Sequence, residues 1–255
     1  MSQPSSTLRL ALVGYGKMGK EIERIAIERG IEIIARIDVD APSLSVEGVK
    51  NADVVIHFAI PSTVVPHMKE LAALHKSVVI GTTGWQKNRA EVEDAVRSSG
   101  IGFVYGSNFS IGVNVLNRLV REAGLLMNRL AEYDVSVHEV HHKDKLDAPS
   151  GTALSIATIL LETVARKREI LAGTPEGKIR PEQLQVSSGR YGSVVGMHRI
   201  VFDSGADTLE ILHSAKSRSG FAIGALLAAE WIRNKSGIFS FENVLEDVFL
   251  KQREG

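Results

Sequence analysis

The amino-acid sequence predicts an α/β protein in which a doubly wound parallel sheet is joined to a smaller α+β unit. Two observations predict this fold class. Over roughly the first 108 residues, short apolar runs alternate with helical patterns, and strands that alternate with helices are joined by parallel crossovers. After about residue 130, strand-like alternation surrounds one long apolar helix, which is typical of an α+β arrangement.

The first half begins with a strand, a glycine-rich turn and a helix. Residues 8–13 form a continuous apolar run of buried-strand type, residues 14–19 hold three glycines, and the helical pattern that follows ends at Gly30. A second strand is predicted over residues 31–38. Later strands are predicted in the segments ADVVIHFA, SVVIGTTG and IGFVYGS. Helices are predicted after Pro61, around residues 86–98 and from Ser110.

The second half predicts a strand, a long helix and a hairpin. The segment YDVSVHEVHH alternates like a strand, and SGTALSIATILLETVAR has the length and pattern of a helix. Residues 194–217 predict an antiparallel pair that turns between Asp203 and Asp207, with Gly205 at the bend. The polar segment 173–183 contains glycine and proline and predicts a surface loop.

The composition excludes several classes of partner. The 255 residues include 30 basic and 30 acidic side chains, so the totals show no electrostatic footprint for nucleic acid or an anionic membrane. No cysteine is present, which removes disulfides, thiolate metal sites and cysteine nucleophiles. No apolar run reaches the roughly 18 residues of a membrane span, and the N-terminus lacks the pattern of a secretory signal. We therefore expect a cytoplasmic protein without nucleic-acid or membrane partners.

The glycine-rich turn predicts a dinucleotide site of the Rossmann type. The residues that fit G-x-G-x-x-G are Gly14, Tyr15, Gly16, Lys17, Met18 and Gly19. The first glycine allows the tight turn, the second lets the backbone approach a pyrophosphate, and the third lets the helix pack on the strand. Asp38 ends the next strand, where an acidic side chain binds the adenosine ribose. The alternative is a structural turn in which Asp38 only caps the strand, and Lys17 is either solvated or a phosphate contact.

The end of the second strand favours NADH over NADPH. A 2′-phosphate requires a basic side chain at this place, whereas the sequence has Asp38 and Asp40, whose carboxylates repel a phosphate. Arg36 precedes Asp38 by two residues and could point to the same side of the strand. NADPH therefore remains the alternative.

The segment HHKDKLDAPSGTAL concentrates titratable side chains beside a helix start. Ser150 is a favourable N-cap, and the backbone N–H groups of the first turn can bind a carboxylate. An imidazole and an ammonium group beside them can move protons. A metal site is not expected, because adjacent histidines rarely converge on one ion and a lysine would compete. The candidate residues for a small anionic substrate are His141, His142, Lys145, Ser150, Gly151 and Thr152.

The stretch EVHHKDKLDAPSGTAL resembles the signature E-x-H-H-x-x-K-x-D-A-P-S-G-T-A of the 4-hydroxy-tetrahydrodipicolinate reductase family, the dihydrodipicolinate reductases of lysine and diaminopimelate biosynthesis. Other segments fall in the order of this family: GTTG at 81–84, GSNFSIGVN at 106–114 and SRSGFAIGALLAAEWI at 217–232. The resemblance therefore extends over essentially the whole chain.

The resemblance implies a role for each matching position. His141 would be the acid/base residue and Lys145 the proton donor, with His142, Gly151 and Thr152 holding a substrate carboxylate. Residues 14–19 and Asp38 would hold the adenosine and pyrophosphate. The residues implied on the nicotinamide side are Gly81, Thr82, Thr83, Gly106, Ser107, Asn108 and Phe109.

The resemblance also implies the reaction and the assembly. Hydride would pass from nicotinamide C4 to ring C4 of a cyclic dicarboxylate, whose hydroxyl leaves as water. Residues 1–108, completed by 218–255, would bind the dinucleotide, and 109–217 would bind substrate and build a homotetramer. Two positions depart from many members, which have arginine in place of Val39 and glutamate in place of Met197. The alternatives are another imino- or amino-acid reductase, similar to aspartate dehydrogenase, and a non-catalytic NAD(H) sensor.

Overall fold

The computed structural model describes residues 7–38, 41, 43–44 and 46–251. Within these residues the strands are β1 (Arg9–Val13), β2 (Glu32–Ile37), β3 (Val54–His57), β4 (Ser77–Ile80), β5 (Gly102–Tyr105), β6 (Asp134–His141), β7 (Glu169–Ala172), β8 (Gln183–Arg190), β9 (Gly196–Asp203), β10 (Thr208–Ala215) and β11 (Gly237–Ser240). The α-helices are α1 (Lys17–Glu28), α2 (Glu47–Asn51), α3 (Val64–Ala73), α4 (Arg89–Ser99), α5 (Ile111–Met127), α6 (Gly151–Thr163), α7 (Ser219–Ile232) and α8 (Phe241–Lys251). Short 3₁₀ turns precede α3 and α4.

Six strands form a parallel sheet in the order β11-β5-β4-β3-β1-β2. The predicted doubly wound parallel sheet is thereby confirmed. Strand β1 pairs with β2 on one side and with β3 on the other, so the winding direction reverses at β1. Ligands of such sheets bind at the carboxyl ends of the strands beside a reversal of this kind. Val13, His57 and Ile80 end three neighbouring strands in register, which brings the loops after them to one edge.

Helices cover both faces of this sheet, and the side chains of β1 alternate between the two cores. Leu10 and Leu12 pack with α1, α7 and α8. Ala11 and Val13 pack with α3 and α4. Because both faces are covered, the strands are apolar throughout rather than alternating, and this explains the continuous apolar runs in the sequence.

The second sheet is mixed, with the order β10-β9-β6-β8-β7. Strands β9 and β10 form the predicted antiparallel pair, in which Asp203 lies opposite Thr208. Strands β6, β8 and β7 are parallel neighbours, and neither β7 nor β8 was predicted. One face of the sheet packs against α5 and α6 through an apolar core. The predicted α+β character is confirmed.

The chain divides into two compact units. Unit 1 comprises Met1–Ile111 and Arg218–Gly255, and unit 2 comprises Gly112–Ser217. The first sheet lies in unit 1 and the second in unit 2. Among the described residues, no helix combines the length and the apolar character that crossing a membrane requires.

Candidate active site

The three glycines of the turn between β1 and α1 have three different environments. Gly14 has a φ of +89°, and a Cβ atom there would lie 2.1 Å from the Phe58 carbonyl oxygen. A Cβ at Gly16 would meet no heavy atom within 4 Å. A Cβ at Gly19 would lie 2.7 Å from the Gly14 carbonyl oxygen. The turn is thus tight at the first glycine, open at the second and closely packed at the third, as pyrophosphate binding requires.

The other residues of the turn are partly committed to the fold. The Tyr15 hydroxyl donates to Glu23, and the guanidinium of Arg36 pairs with the same carboxylate. Met18 packs against the core of unit 1, whereas Lys17 is exposed. Arg36 is therefore held by an acidic partner within its own unit.

Asp38 directly follows β2 and is exposed. Its place at the carboxyl end of the strand next to the glycine turn fits contact with a ribose. Val39 and Asp40, on which the cofactor prediction also rests, lie outside the described residues.

The segments predicted on the nicotinamide side follow two neighbouring strands. Gly81 to Thr83 follow β4, and Gly106 to Phe109 follow β5. A Cβ at Gly81 would lie 2.2 Å from the Phe58 ring, so a larger residue there would have to displace the Phe58 side chain. Thr83 and Ser107 are exposed, whereas Phe109 is buried among core aromatic rings. Asn108 accepts a hydrogen bond from the Ser110 N–H at 2.8 Å.

A chain of buried hydrogen bonds fixes the Thr82 hydroxyl. His67 Nε2 lies 3.3 Å from the Ala41 carbonyl oxygen, which can only accept, so Nε2 donates. His67 Nδ1 then accepts from His57 Nε2 at 3.0 Å, and His57 Nδ1 accepts from the Thr82 hydroxyl at 2.9 Å. The Thr82 oxygen in turn accepts from the Ala59 N–H. The Thr82 carbonyl oxygen accepts from the Trp85 indole N–H at 2.8 Å, so both the side chain and the backbone of Thr82 support this loop.

In unit 2, the end of β6 places His141 against a buried carboxylate. Glu139 is fully buried, and its Oε2 contacts His141 Nδ1. Its Oε1 accepts from Arg190 at 2.7 Å and from the Ser150 N–H at 3.1 Å. His198 on β9 lies beside this group, with its ring centroid 5.4 Å from that of His141.

Ser150 caps helix α6, as predicted. Its hydroxyl oxygen accepts from the Ala153 N–H at 3.2 Å. The same oxygen lies 3.3 Å from His198 Nε2. Gly151 and Thr152 form the first turn, and a Cβ at Gly151 would meet nothing within 4 Å. The start of the helix therefore has open space beside Gly151.

At pH 7 the electrostatics of the cluster keep Glu139 ionised and keep His141 and His198 neutral. Burial alone would raise the pKa of Glu139, but hydrogen bonds from Arg190 and from the Ser150 backbone lower it to about 2. Burial lowers the pKa of His141, while the Glu139 carboxylate opposes this shift. Burial, followed by the nearby His141, lowers the pKa of His198 to about 4.

Lys145 lies in the loop between β6 and α6. Its ammonium group pairs with Asp147 at 2.6 Å. The positive charge of Lys145 also contributes to the lowered pKa of His141. Arg190 donates to the Asp147 carbonyl oxygen at 2.6 Å, which connects this loop to the buried carboxylate. His142 follows β6 and is half-buried.

Glu139, His141 and His198 bring potential metal-ligand atoms within 4.8 Å of one another. Arg190 already occupies one oxygen of Glu139, and the other oxygen faces an imidazole nitrogen. An adjacent guanidinium disfavours a cation, so the arrangement is that of a hydrogen-bonded ion pair. The absence of a metal remains a prediction.

Met197 does not belong to this cluster. It lies on β9 opposite Val140 and Ser214. Successive side chains of a strand point to opposite faces, so Met197 and His198 face different sides of the sheet. The methionine at this position therefore leaves the Glu139 cluster intact.

Comparison with known proteins supports one family over the whole length. Sequence models described as "Dihydrodipicolinate reductase, N-terminus" and "Dihydrodipicolinate reductase, C-terminus" match residues 8–109 and 112–245. A 4-hydroxy-tetrahydrodipicolinate reductase of Christiangramia forsetii is 36% identical over 95% of this chain and 99% of its own. The chain belongs to the dihydrodipicolinate reductase family. The resemblance inferred from the sequence is confirmed, and the protein is an oxidoreductase.

Two further relatives agree with this assignment. A 4-hydroxy-tetrahydrodipicolinate reductase of Methanoregula boonei is 38% identical over 85% of this chain and 82% of its own. The dipicolinate-bound dihydrodipicolinate reductase of Paenisporosarcina sp. TG-14 has the same fold, with a TM-score of 0.75 at 23% identity over 93% of this chain and 99% of that one.

Proposed function

We propose that the protein reduces 4-hydroxy-tetrahydrodipicolinate to tetrahydrodipicolinate with NADH, releasing water, in the cytoplasm, where lysine or diaminopimelate is made. The observation that carries this proposal is the buried pair of Glu139 and His141 beside the open start of α6. It combines a proton-transfer group with a carboxylate site. The dipicolinate bound to the Paenisporosarcina enzyme supports a dicarboxylate of this shape.

The residues of unit 2 have separable roles in this reaction. The N–H groups of Gly151 and Thr152 bind one substrate carboxylate, assisted by His142. Lys145 and His141 supply and take up the protons with which the C4 hydroxyl leaves as water. The reduced nicotinamide, when bound, supplies the hydride to C4. Ser150 holds the helix start in place through its cap.

The residues of unit 1 support binding of the cofactor, and they favour NADH. Gly14 to Gly19 would hold the pyrophosphate, Asp38 the ribose, and the segments after β4 and β5 the nicotinamide half. Because Glu23 already neutralises Arg36, this arginine is not available to a 2′-phosphate. NADPH would then lack a basic partner from β2.

We also propose a homotetramer built on the second sheet. On the face away from α5 and α6, Leu212 is 58% exposed, and Met197 and Val201 are only half-buried. Burial of this face against another subunit would remove apolar surface from water. Light scattering at micromolar concentration should give the mass of four chains, and a monomer would contradict the proposal.

The activity is tested with purified protein, NADH and freshly generated 4-hydroxy-tetrahydrodipicolinate, by following the oxidation of NADH. Lys145→Ala and His141→Ala should lower kcat by about 10²- to 10⁴-fold, the usual range for a positioned acid or base. Thr152→Val should instead raise KM, since it removes a hydroxyl near the bound carboxylate and no acid or base group. NADH oxidation absent from the wild type, or normal kcat in the lysine and histidine variants, would refute the assignment.

A further inference from the structure

The fully buried Glu139 transfers no proton in the chemistry proposed above, yet it contacts the proposed acid/base residue. A buried carboxylate is costly unless it is paired and hydrogen-bonded. Here Oε1 receives two donors, Arg190 Nη2 at 2.7 Å and the Ser150 N–H at 3.1 Å. These donors fix the carboxyl group and leave Oε2 to His141.

The direction of the contact with His141 follows from hydrogen-bond chemistry. An ionised carboxylate only accepts hydrogen bonds, so Nδ1 of His141 must carry a proton. Nδ1 has no partner of ideal hydrogen-bond geometry among the described residues, and the Glu139 carboxylate is the acceptor that it contacts. In the neutral imidazole, the lone pair is then on Nε2.

The Nε2 atom of His141 lies where a small backbone leaves room. A Cβ atom at Gly196 would lie 3.0 Å from Nε2, closer than nearly all real Cβ contacts. Any larger residue at this position would cover the nitrogen. Strand β6 thus carries the His141 ring, and strand β9 provides the space beside its Nε2 atom.

We propose that Glu139 is a positioning residue that holds His141 in the Nδ1–H tautomer, so that Nε2 exchanges the proton with substrate. Arg190 fixes the orientation of Glu139, and the bond to the Ser150 N–H places the carboxylate-binding start of α6 in register with His141. This inference rests on the proposed function for the role of His141. The tautomer itself is measurable without turnover.

Glu139→Gln is a sharp test, because the structure fixes how the amide would lie. Arg190 and the Ser150 N–H both donate to the same oxygen, so the amide oxygen takes that place and the NH₂ group faces His141. Nδ1 must then accept, and the proton moves to Nε2, which loses its lone pair. Glu139→Gln therefore changes the tautomer of His141 while it conserves the size and shape of the substituted side chain.

The tautomer is read from the ring ¹⁵N shifts of selectively labelled histidine, with His141→Gln to assign the signal. We expect Nδ1–H in the wild type and Nε2–H in Glu139→Gln. We also expect kcat to fall by about 10²- to 10⁴-fold with KM little changed. Loss of the neighbouring negative charge should shift the pKa of His141 downward. Glu162→Gln is the matched control, since Glu162 pairs with Arg121 on the exposed side of α6 at 2.8 Å, and its kcat should be normal.

An Nε2–H tautomer in the wild type, or normal kcat in folded Glu139→Gln, would overturn the proposal. If Glu139→Gln does not fold, Gly196→Ala decides the point. It places a methyl group against the His141 ring at Nε2 and leaves Glu139 and Arg190 unchanged, so kcat should fall, and normal turnover would overturn the proposal. A wild type that fails to oxidise NADH with the substrate would refute the proposed function, whereas the ¹⁵N measurement would still decide the tautomer.

Discussion

Substitution of Gly224 by alanine should show how helix α7 positions a cofactor loop. A Cβ at Gly224 would lie 1.9 Å from the Phe109 carbonyl oxygen and 2.9 Å from the Phe241 ring. The closer atom belongs to the backbone, so it cannot rotate away as a flexible side chain would. Phe109 ends the segment 106–109 predicted on the nicotinamide side. Gly224→Ala must therefore displace either the helix or this segment.

The cost of this displacement follows from the size of the overlap. Relief of the contact requires a shift of more than 1 Å, since real Cβ contacts essentially never fall below 3.0 Å. Overpacking of this kind typically costs about 1–3 kcal/mol, and the gain from alanine in a helix offsets up to about 1 kcal/mol. We expect a net loss of about 1–2 kcal/mol in the free energy of unfolding, which lowers Tm by roughly 2–8 °C.

The matched control lies on the same helix. A Cβ at Gly220 would lie 3.5 Å from the Ser110 hydroxyl, an ordinary contact, so Gly220→Ala should be as stable as the wild type or up to about 1 kcal/mol more stable. Calorimetry measures both variants, and titration with NADH should show weaker binding for Gly224→Ala alone. Equal Tm and equal NADH affinity in the two variants would refute the reasoning.

Two further predictions concern unit 1. Burial lowers the pKa of His57 from 6.5 to about 3, so the unfolded chain binds the proton first as the pH falls. The contribution of neutral His57 to the free energy of unfolding is complete above pH 6.5 and is lost between pH 6.5 and 3. At pH 5 the loss is about 2 kcal/mol. Urea unfolding at pH 7 and pH 5 measures this loss together with that from His198, whose pKa is also lowered, to about 4, and equal stabilities would contradict the prediction. Asp38→Ala should lower kcat/KM for NADH more than for NADPH, whereas a large preference of the wild type for NADPH would argue against the role of Asp38.

The glycine turn could be predicted because its physics is local. The roles of Gly14, Gly16 and Gly19 depend on one strand, one turn and one helix that are consecutive in the sequence. The Ser150 cap has the same origin, since the hydroxyl and the Ala153 N–H that it binds are three residues apart. Features of this kind can be predicted once the type and the order of the secondary-structure elements are assigned correctly.

The Glu139 cluster could not be predicted in the same way, because it depends on strand pairing. Arg190 is 51 residues from Glu139 in the sequence, and it ends β8, whose polar segment QLQVSSGR gave no strand signal. His198 reaches the cluster through the pairing of β9 with β6, where it lies opposite Glu139. Only the register of the second sheet brings these side chains together.

The two buried histidine groups show why position alone does not identify a catalytic residue. His57 contacts His67 and the Thr82 hydroxyl, and burial, reinforced by the nearby His67, lowers its pKa to about 3. His141 is also buried, but the Glu139 carboxylate opposes the effect of burial. An imidazolium at His141 would be stabilised by a full negative charge, whereas one at His57 would not. We therefore expect the protonation state of His141 to change during a reaction cycle, while His57 stays neutral at pH 7 and supports its loop.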